Sequence, residues 1–508
     1  MMRTARSLLP VIFMLLIHCY IRTNDITLFE PYVDEGYHIE RGARVWNFDV
    51  HPGQFAHGKV LVYFWLGLFD GPPSTNLAAA RLAIALISTI TAATIYILGR
   101  TLRNHLAGLI ALFIYAFVPF AFFFERMALA DPFAAMFAIL VVWRSLIFAN
   151  HPTTRQGIII GLLLGLATLA KLTVVTLPLI TLAAVALTYD WQLGMRGAVR
   201  TYLWGLGVAA AVVVLMWLPM LIPAYFAHIQ GDPFILVNDF NIQRTDSFAP
   251  PNALVYVANI LPSIAEFTSV ALLLLAALAF IIGLIRQQWQ ALFLGIWIVS
   301  ISIPVVALAR VITIRYLMPV TAPLVLIIAF ALEQIWWRAR LRPLAAGAAM
   351  LWLVSYAIPF RASDPMQLTL TGSNQFDFQS GFFTADEAVH ETATILSSIN
   401  EPGIVYATRE ACHLLYFYSD PFTLRCLDDD PIPTFGQTML DELRPGQPAY
   451  LVISNYYGPF HYGLDWLNSE EIVLEHAPQF QGVGYEFRLW KIWLADQQDE
   501  TEPVTDSS

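Results

Sequence analysis

Tyr32-Val33-Asp34-Glu35-Gly36-Tyr37-His38, then Asp49-Val50-His51-Pro52 and His57-Gly58-Lys59, follow one apolar run (residues 8–22) and precede a long series of others. A segment that only joins two membrane spans is usually short. This one, from Thr23 to about Lys59, gathers carboxylates, imidazoles and one of the chain's three lysines. Carboxylates supply bases and a lysine seats an anion. The stretch therefore predicts chemistry at the boundary of a membrane domain.

Composition agrees. The chain has 508 residues, of which 57% are hydrophobic and 13% charged, with mean hydropathy +0.60. Globular domains carry about a quarter charged residues, so a polytopic membrane protein is predicted. Residues 1–360 hold 22 Lys and Arg against 15 Asp and Glu, while residues 361–508 hold 6 against 23. That shift predicts a membrane domain over 1–360, with its first outer region at 23–75, and an acidic soluble domain over 361–495. The polar tail 496–508 is expected to be disordered. No nucleic acid is expected as a partner. Met1–Tyr20, with Arg3 and Arg6 before an apolar run, resembles a signal peptide without a small-residue cleavage site, so an uncleaved first span is expected.

Hydropathy predicts eleven spans, at roughly 8–22, 76–99, 104–122, 128–148, 157–170, 172–189, 201–226, 262–285, 289–309, 316–337 and 343–360. Arg3/Arg6, Arg100/Arg103, Arg155, Arg196/Arg200, Arg286 and Arg338/Arg340/Arg342 then fall on every second loop. By the positive-inside rule the N-terminus is cytoplasmic and residues 361–508 lie outside. The outer face would still carry Lys59, Arg126, Lys171, Arg244, Arg310 and Arg315. Either a bound anion such as a lipid phosphate compensates them, or each snorkels or pairs with a carboxylate.

In the soluble part, Ala385–Ile399 has helical spacing, with Asp386 and Glu387 in its first turn. Gly403–Ala407, Ala449–Ser454, Glu471–Glu475 and Tyr485–Trp493 read as strands, so a small α/β domain is predicted. Cys412 and Cys426 pair if that domain faces an oxidising compartment. Cys19 reads as a small buried hydrophobe.

Asp34 is the candidate base at the start of a surface helix, with Glu35 orienting it or binding a sugar hydroxyl or cation; acids there also suit the helix dipole. Lys59, leading into apolar Val60–Phe69, would sit at phosphate depth. The histidines and acids of the loop match no recognised zinc spacing, so a divalent cation is considered but not favoured, and no cofactor is assigned. Arg126 and Asp131 form an ion pair or line the cavity. Lys171 closes a Gly-containing run in which Gly161 and Gly165 allow close helix packing. Arg315-Tyr316-Leu317-Met318-Pro319 opens the tenth span from outside.

In their order and sidedness these motifs resemble the GT-C glycosyltransferases. More narrowly, they resemble the polyprenyl-phosphate-sugar-dependent group that includes protein O-mannosyltransferases and lipid A aminoarabinose transferases. Where relatives often carry Lys-Pro-Pro or His-Gly-Pro, this chain has His57-Gly58-Lys59. The resemblance implies a GT-C membrane fold with an extracytoplasmic C-terminal domain and Asp34, with Glu35, as catalytic carboxylates. It also implies Lys59, Arg126, Lys171 and Arg315 as the seat of the donor phosphate. Tyr37, Asp49, His51, His57, Asp131 and Tyr316 are assigned to the substrate cavity. The expected activity is inverting transfer of a sugar from a polyprenyl-phosphate donor to an acceptor hydroxyl at the outer face of the cell membrane. A transporter or flippase of a lipid-linked substrate is the alternative; it would predict an internal repeat and charges near the bilayer midplane, and neither is visible.

Overall fold

The computed structural model describes residues 2–28, 31–48, 51, 58–188, 195–230, 250–308, 314–362, 385–399, 403–427, 439, 441–444, 447–454, 468–472 and 487–493. The chain divides into two compact units. One comprises Met1–Phe29, Arg41–Asp70 and Ala78–Gln375, the other Glu30–Glu40, Gly71–Leu77 and Phe376–Ser508. Residues of the segment 23–75, expected to form the first outer region, thus fall in both. The tail 496–508, the cations Arg244 and Arg310 expected at the outer face, and parts of the last two expected strand segments lie outside the described residues.

The helices begin with α1 (Met2–Thr23), α2 (Val33–Val45), α3 (Val60–Leu66), α4 (Pro73–Leu102), α5 (His105–Phe117), α6 (Pro119–Phe124), α7 (Asp131–Asn150) and α8 (Thr154–Ala170). They continue with α9 (Leu177–Thr188), α10 (Met195–Ile229), α11 (Pro250–Thr268), α12 (Val270–Ile285), α13 (Trp289–Leu308), α14 (Thr321–Trp336), α15 (Arg342–Trp352) and α16 (Ile358–Ala362). Among the described residues, five stretches are long and apolar enough to cross a bilayer: Pro73–Leu102, Asp131–Asn150, Val199–Ile229, Ile314–Trp336 and Ala339–Phe360. Shorter apolar helices include Leu8–Thr23, His105–Phe117, Thr154–Ala170, Leu172–Thr188 and Trp289–Ile303. The chain is a multi-pass membrane protein.

The segment expected as one span over 262–285 is broken. Ile260–Thr268 and Val270–Ile285 meet at 105°. The cause is local: Ser269 adopts φ +74° and its hydroxyl accepts the Leu272 N–H at 3.3 Å, capping a new helix in a new direction.

Glycine sets the packing of α8. Gly157, Gly161 and Gly165 recur every four residues, and a Cβ on any of them would press into Gly205, Ala209 or Met216 of α10. Backbones can approach this closely only along a stripe of small residues. Much of the described surface of α10 is exposed and apolar, with Leu203, Trp204, Val214 and Leu215 turned outward. Such a surface suits lipid, not water.

The second unit contains α17 (Ala385–Ser398), α18 (Arg409–Leu415) and strands β1 (Ile404–Ala407), β2 (Thr423–Cys426), β3 (Ala449–Ser454), β4 (Asn468–Ile472) and β5 (Phe487–Trp493). The sheet order is β2-β1-β3-β5-β4, parallel where β1 meets β2 and β3, antiparallel around β5. Alternation sends Val405, Ala407 and Val452 to one face, where they pack with Val389 and Leu396 of α17 and Leu414 and Leu415 of α18. Tyr406, Leu451 and Ile453 line the other face with Met439 and Leu443. Val33 of α2 belongs to the first of these cores. Cys412 and Cys426 form a disulfide with their Cα atoms 5.5 Å apart, tying α18 to the edge strand β2.

Candidate active site

In the membrane unit the site is built at helix ends. α8 stops at Ala170, and Lys171 leaves it with extended backbone (φ −164°) before a short 3-10 turn, Leu172–Val174, leads to α9. Its side chain is buried, and Nζ donates to Asp131 Oδ1 at 2.6 Å. Asp131 opens α7 with Pro132 in the first turn, where the helix dipole favours a carboxylate. The Lys171 ammonium also lies 4.3 Å from the centre of the Tyr316 ring, and the Arg315 guanidinium is 5.6 Å from that same ring. Cations over an aromatic face are stabilised by its quadrupole. The positive charges of Arg315 and Lys59 bear on Lys171 as well. Lys59 precedes α3, where its carbonyl receives the Val62 N–H at 3.0 Å. Three sequence-distant cations, one carboxylate and an aromatic ring are thus assembled from the starts of α3 and α7, the end of α8 and the turn Ile314–Val320 that leads into α14.

In the second unit, α2 carries Asp34, Glu35, Tyr37 and His38. Asp34 is half-buried in the first turn. Glu35 is fully buried, and its Oε2 accepts the Tyr32 N–H at 3.0 Å while its own N–H reaches the Tyr32 carbonyl at 2.8 Å. This reciprocal cap holds the start of the helix. The Tyr37 ring meets the His413 ring edge-on at 5.1 Å. Gly36 passes so close to His413 that a Cβ would overlap the His413 carbonyl oxygen. The segment bearing the candidate base is seated on α18.

Arg126 bonds the segment after α1. It donates to the backbone carbonyls of Asn24, at 2.8 Å, and Asp25, and its guanidinium lies 5.0 Å from the Phe122 ring centre. A network missed in the sequence sits beside it. Arg22 at the end of α1 donates to Glu125 Oε2 at 2.9 Å and to the Ala116 carbonyl at 2.6 Å. Tyr115 donates to Glu125, and His18 bonds Ser88 at 3.2 Å. Every one of these groups is buried. Arg22 and Glu125 were legible as charges flanking apolar runs, a pattern that marks paired intramembrane residues.

Burial holds the His51 imidazole below its ordinary range. Asp49 and His57 lie outside the described residues. Among the described residues, no three His, Cys, Asp or Glu side chains come together as a metal site requires.

Comparison with known proteins finds one family model and several similar folds. Residues 63–217 match the family model described as dolichyl-phosphate-mannose-protein mannosyltransferase. The fold is similar to that of ArnT from Cupriavidus metallidurans, solved bound to undecaprenyl phosphate, with TM-score 0.58 at 15% identity over 95% of this chain and 97% of that one. The apo form of ArnT matches with TM-score 0.58 and 15% identity over 97% and 98%. The archaeal oligosaccharyltransferase AglB from Archaeoglobus fulgidus, in complex with an inhibitory peptide and a dolichol-phosphate, matches with TM-score 0.51 at 12% identity over 89% and 70%. No curated protein matches the sequence. The family model and these folds support the likeness to GT-C glycosyltransferases of the polyprenyl-phosphate-sugar type.

Proposed function

We propose that this chain is an integral-membrane inverting glycosyltransferase, moving a hexosyl or pentosyl group from a polyprenyl-phosphate donor to an acceptor hydroxyl on protein, lipid or surface glycan. The observation that carries the reading is Lys171, paired with Asp131 and set over the Tyr316 ring beside Arg315, with the charges of Arg315 and Lys59 bearing on it. Cations held at the ends of apolar helices match a ligand whose tail stays in lipid and whose phosphate stands at the boundary. The ligands of the two structural relatives, undecaprenyl phosphate and dolichol-phosphate, belong to that class.

In this reading the acceptor oxygen attacks the anomeric carbon and its proton passes to Asp34. The bond from that carbon to the phosphate oxygen breaks, polyprenyl phosphate leaves, and the product has inverted configuration. Lys59, Lys171 and Arg315 stabilise the charge growing on the leaving phosphate. Asp34 suits the base because it is only half-buried, whereas Glu35 holds the helix start. Tyr37, His51 and Tyr316 are the residues proposed to contact the sugar, and Arg126 is proposed to join the donor-phosphate cations.

The reaction belongs outside the cytoplasm, with eleven spans, a cytoplasmic N-terminus and an extracytoplasmic sheet domain. The Cys412–Cys426 disulfide supports that side, since such bonds persist in oxidising compartments. Purified protein in nanodiscs, given a labelled polyprenyl-phosphate sugar, should release polyprenyl phosphate in the presence of acceptor. Asp34→Asn should retain donor and lose turnover by roughly 10²-fold or more; near-normal turnover would sink the assignment. Mass spectrometry of surface glycans and glycolipids with and without the gene identifies the acceptor.

A further inference from the structure

A recess lined by arginine and glutamine lies at the far end of α14 from the Lys171–Arg315 group. α14 has 16 residues, which separates its two ends by about 24 Å at 1.5 Å per residue. At the Trp336 end, α12, α13 and α14 enclose a recess of about 230 Å³. It is lined by Arg286 and Arg338, both exposed, by Gln290 and Gln334, and by exposed Leu278 and buried Leu294. Arg286 donates to Gln334 at 3.3 Å. Gln288, which also lines the recess, receives Arg103 Nη2 at 2.7 Å, which brings a third guanidinium within one hydrogen bond.

No Asp or Glu is among the described residues lining the recess. The adjacent carboxylate, Glu333, is buried and engaged by Asn104 at 2.7 Å and by the Trp337 indole. Leu275 lines both this recess and a neighbouring apolar cavity of about 440 Å³, which Trp336 and Trp352 also line. Cationic side chains and glutamine donors thus share this recess with apolar volume. Basic pockets between transmembrane helices at the cytoplasmic boundary suit anionic lipid headgroups, and the charge pattern of the loops assigns Arg286 and Arg338 to that boundary.

We propose that this recess holds one anionic phospholipid. Its headgroup phosphate is bound by Arg286 and Arg338, and an acyl chain lies over Leu278 and Leu294 toward the cavity shared at Leu275. The donor cannot fill both positions, because its single phosphate is required at the other end of α14. The site does not depend on the transfer reaction.

The test is native mass spectrometry of the full-length protein, delipidated in mild detergent and offered phosphatidylglycerol or phosphatidylcholine of equal chain length. One phosphatidylglycerol should be retained, with a preference of about thirty-fold. The double variant Arg286→Gln/Arg338→Gln should bind the two lipids equally, while Arg340→Gln, outside the recess, should keep the preference. Ala279→Trp narrows the recess and leaves both arginines in place; it should also abolish retention, so a folding defect in the double variant leaves the proposal open to refutation. Equal retention of the two lipids by the wild type would overturn the proposal. So would undiminished phosphatidylglycerol binding in the double variant, or displacement of the lipid by millimolar inorganic phosphate.

Discussion

Gly36, one residue after the Asp34-Glu35 pair, packs its bare Cα against the backbone of His413 on the C-terminal domain. The helix that carries the candidate base is therefore positioned by a domain whose own residues begin more than 300 positions later. Val33, in the core with Val389 and Leu414, and Tyr37, edge-on to the His413 ring, complete the seat.

Gly36→Ala tests that seat. In an isolated helix the change would stabilise by about 1 kcal/mol; here the methyl overlaps the His413 carbonyl, and overpacking of this kind costs roughly 1–3 kcal/mol. Net destabilisation is expected, with faster proteolysis of the sheet domain in limited-digestion assays. A variant more resistant than the wild type would mean that α2 does not rest on His413.

Lys171 and Asp131 form a buried pair, and losing one partner of such a pair typically costs about 3–5 kcal/mol. Lys171→Met and Asp131→Leu should each lower the thermal midpoint substantially. The combined variant should recover much of that loss, because no unpaired charge remains. Turnover should not recover with it, as the ammonium is also proposed to meet the donor phosphate. Parallel recovery of stability and turnover would reduce the pair to a structural role.

Lys59→Gln and Arg315→Gln should weaken donor binding while leaving the fold intact. Loss of one charged hydrogen bond costs about 1.5–3 kcal/mol, so the apparent Kd for polyprenyl-phosphate sugar should rise roughly 10- to 100-fold. Titration in nanodiscs reads this directly. Unchanged affinity in both variants would leave the cations as internally satisfied groups.

Orientation has its own readout. In a Cys19→Ser background, with the Cys412–Cys426 bond intact, Ser397→Cys should react with a membrane-impermeant thiol reagent from the extracytoplasmic side. Thr101→Cys should react only after lysis. Both positions are exposed. Labelling in the opposite order would reverse the topology and move the proposed chemistry to the cytoplasm.

The membrane character of the chain and the acidic composition after residue 360 were legible because hydropathy and charge are local compositional properties. So were α17 and β3, whose apolar periodicity is strong, and the start of α2 at the Asp34-Glu35 acids. β2 was not: Thr423–Cys426 is four residues long, sits at the sheet edge and alternates exposed with half-buried positions, so it lacks the apolar run that marks a buried strand. α18 is similarly short, at seven residues.

Sequence alone determined that this is a membrane protein with an acidic appended domain, and which loops carry charge. It named Lys59, Lys171, Arg315 and Asp131, but not that Lys171 reaches across 40 residues to Asp131 instead of leaving Asp131 to Arg126. Nor did it contain the break at Ser269 or the union of Val33–Glu40 with the C-terminal core. Tertiary structure decided these, because a partner is chosen by where helices cross and how closely their backbones approach. Local periodicity records which face of a helix is apolar; it does not record which other helix will cover it.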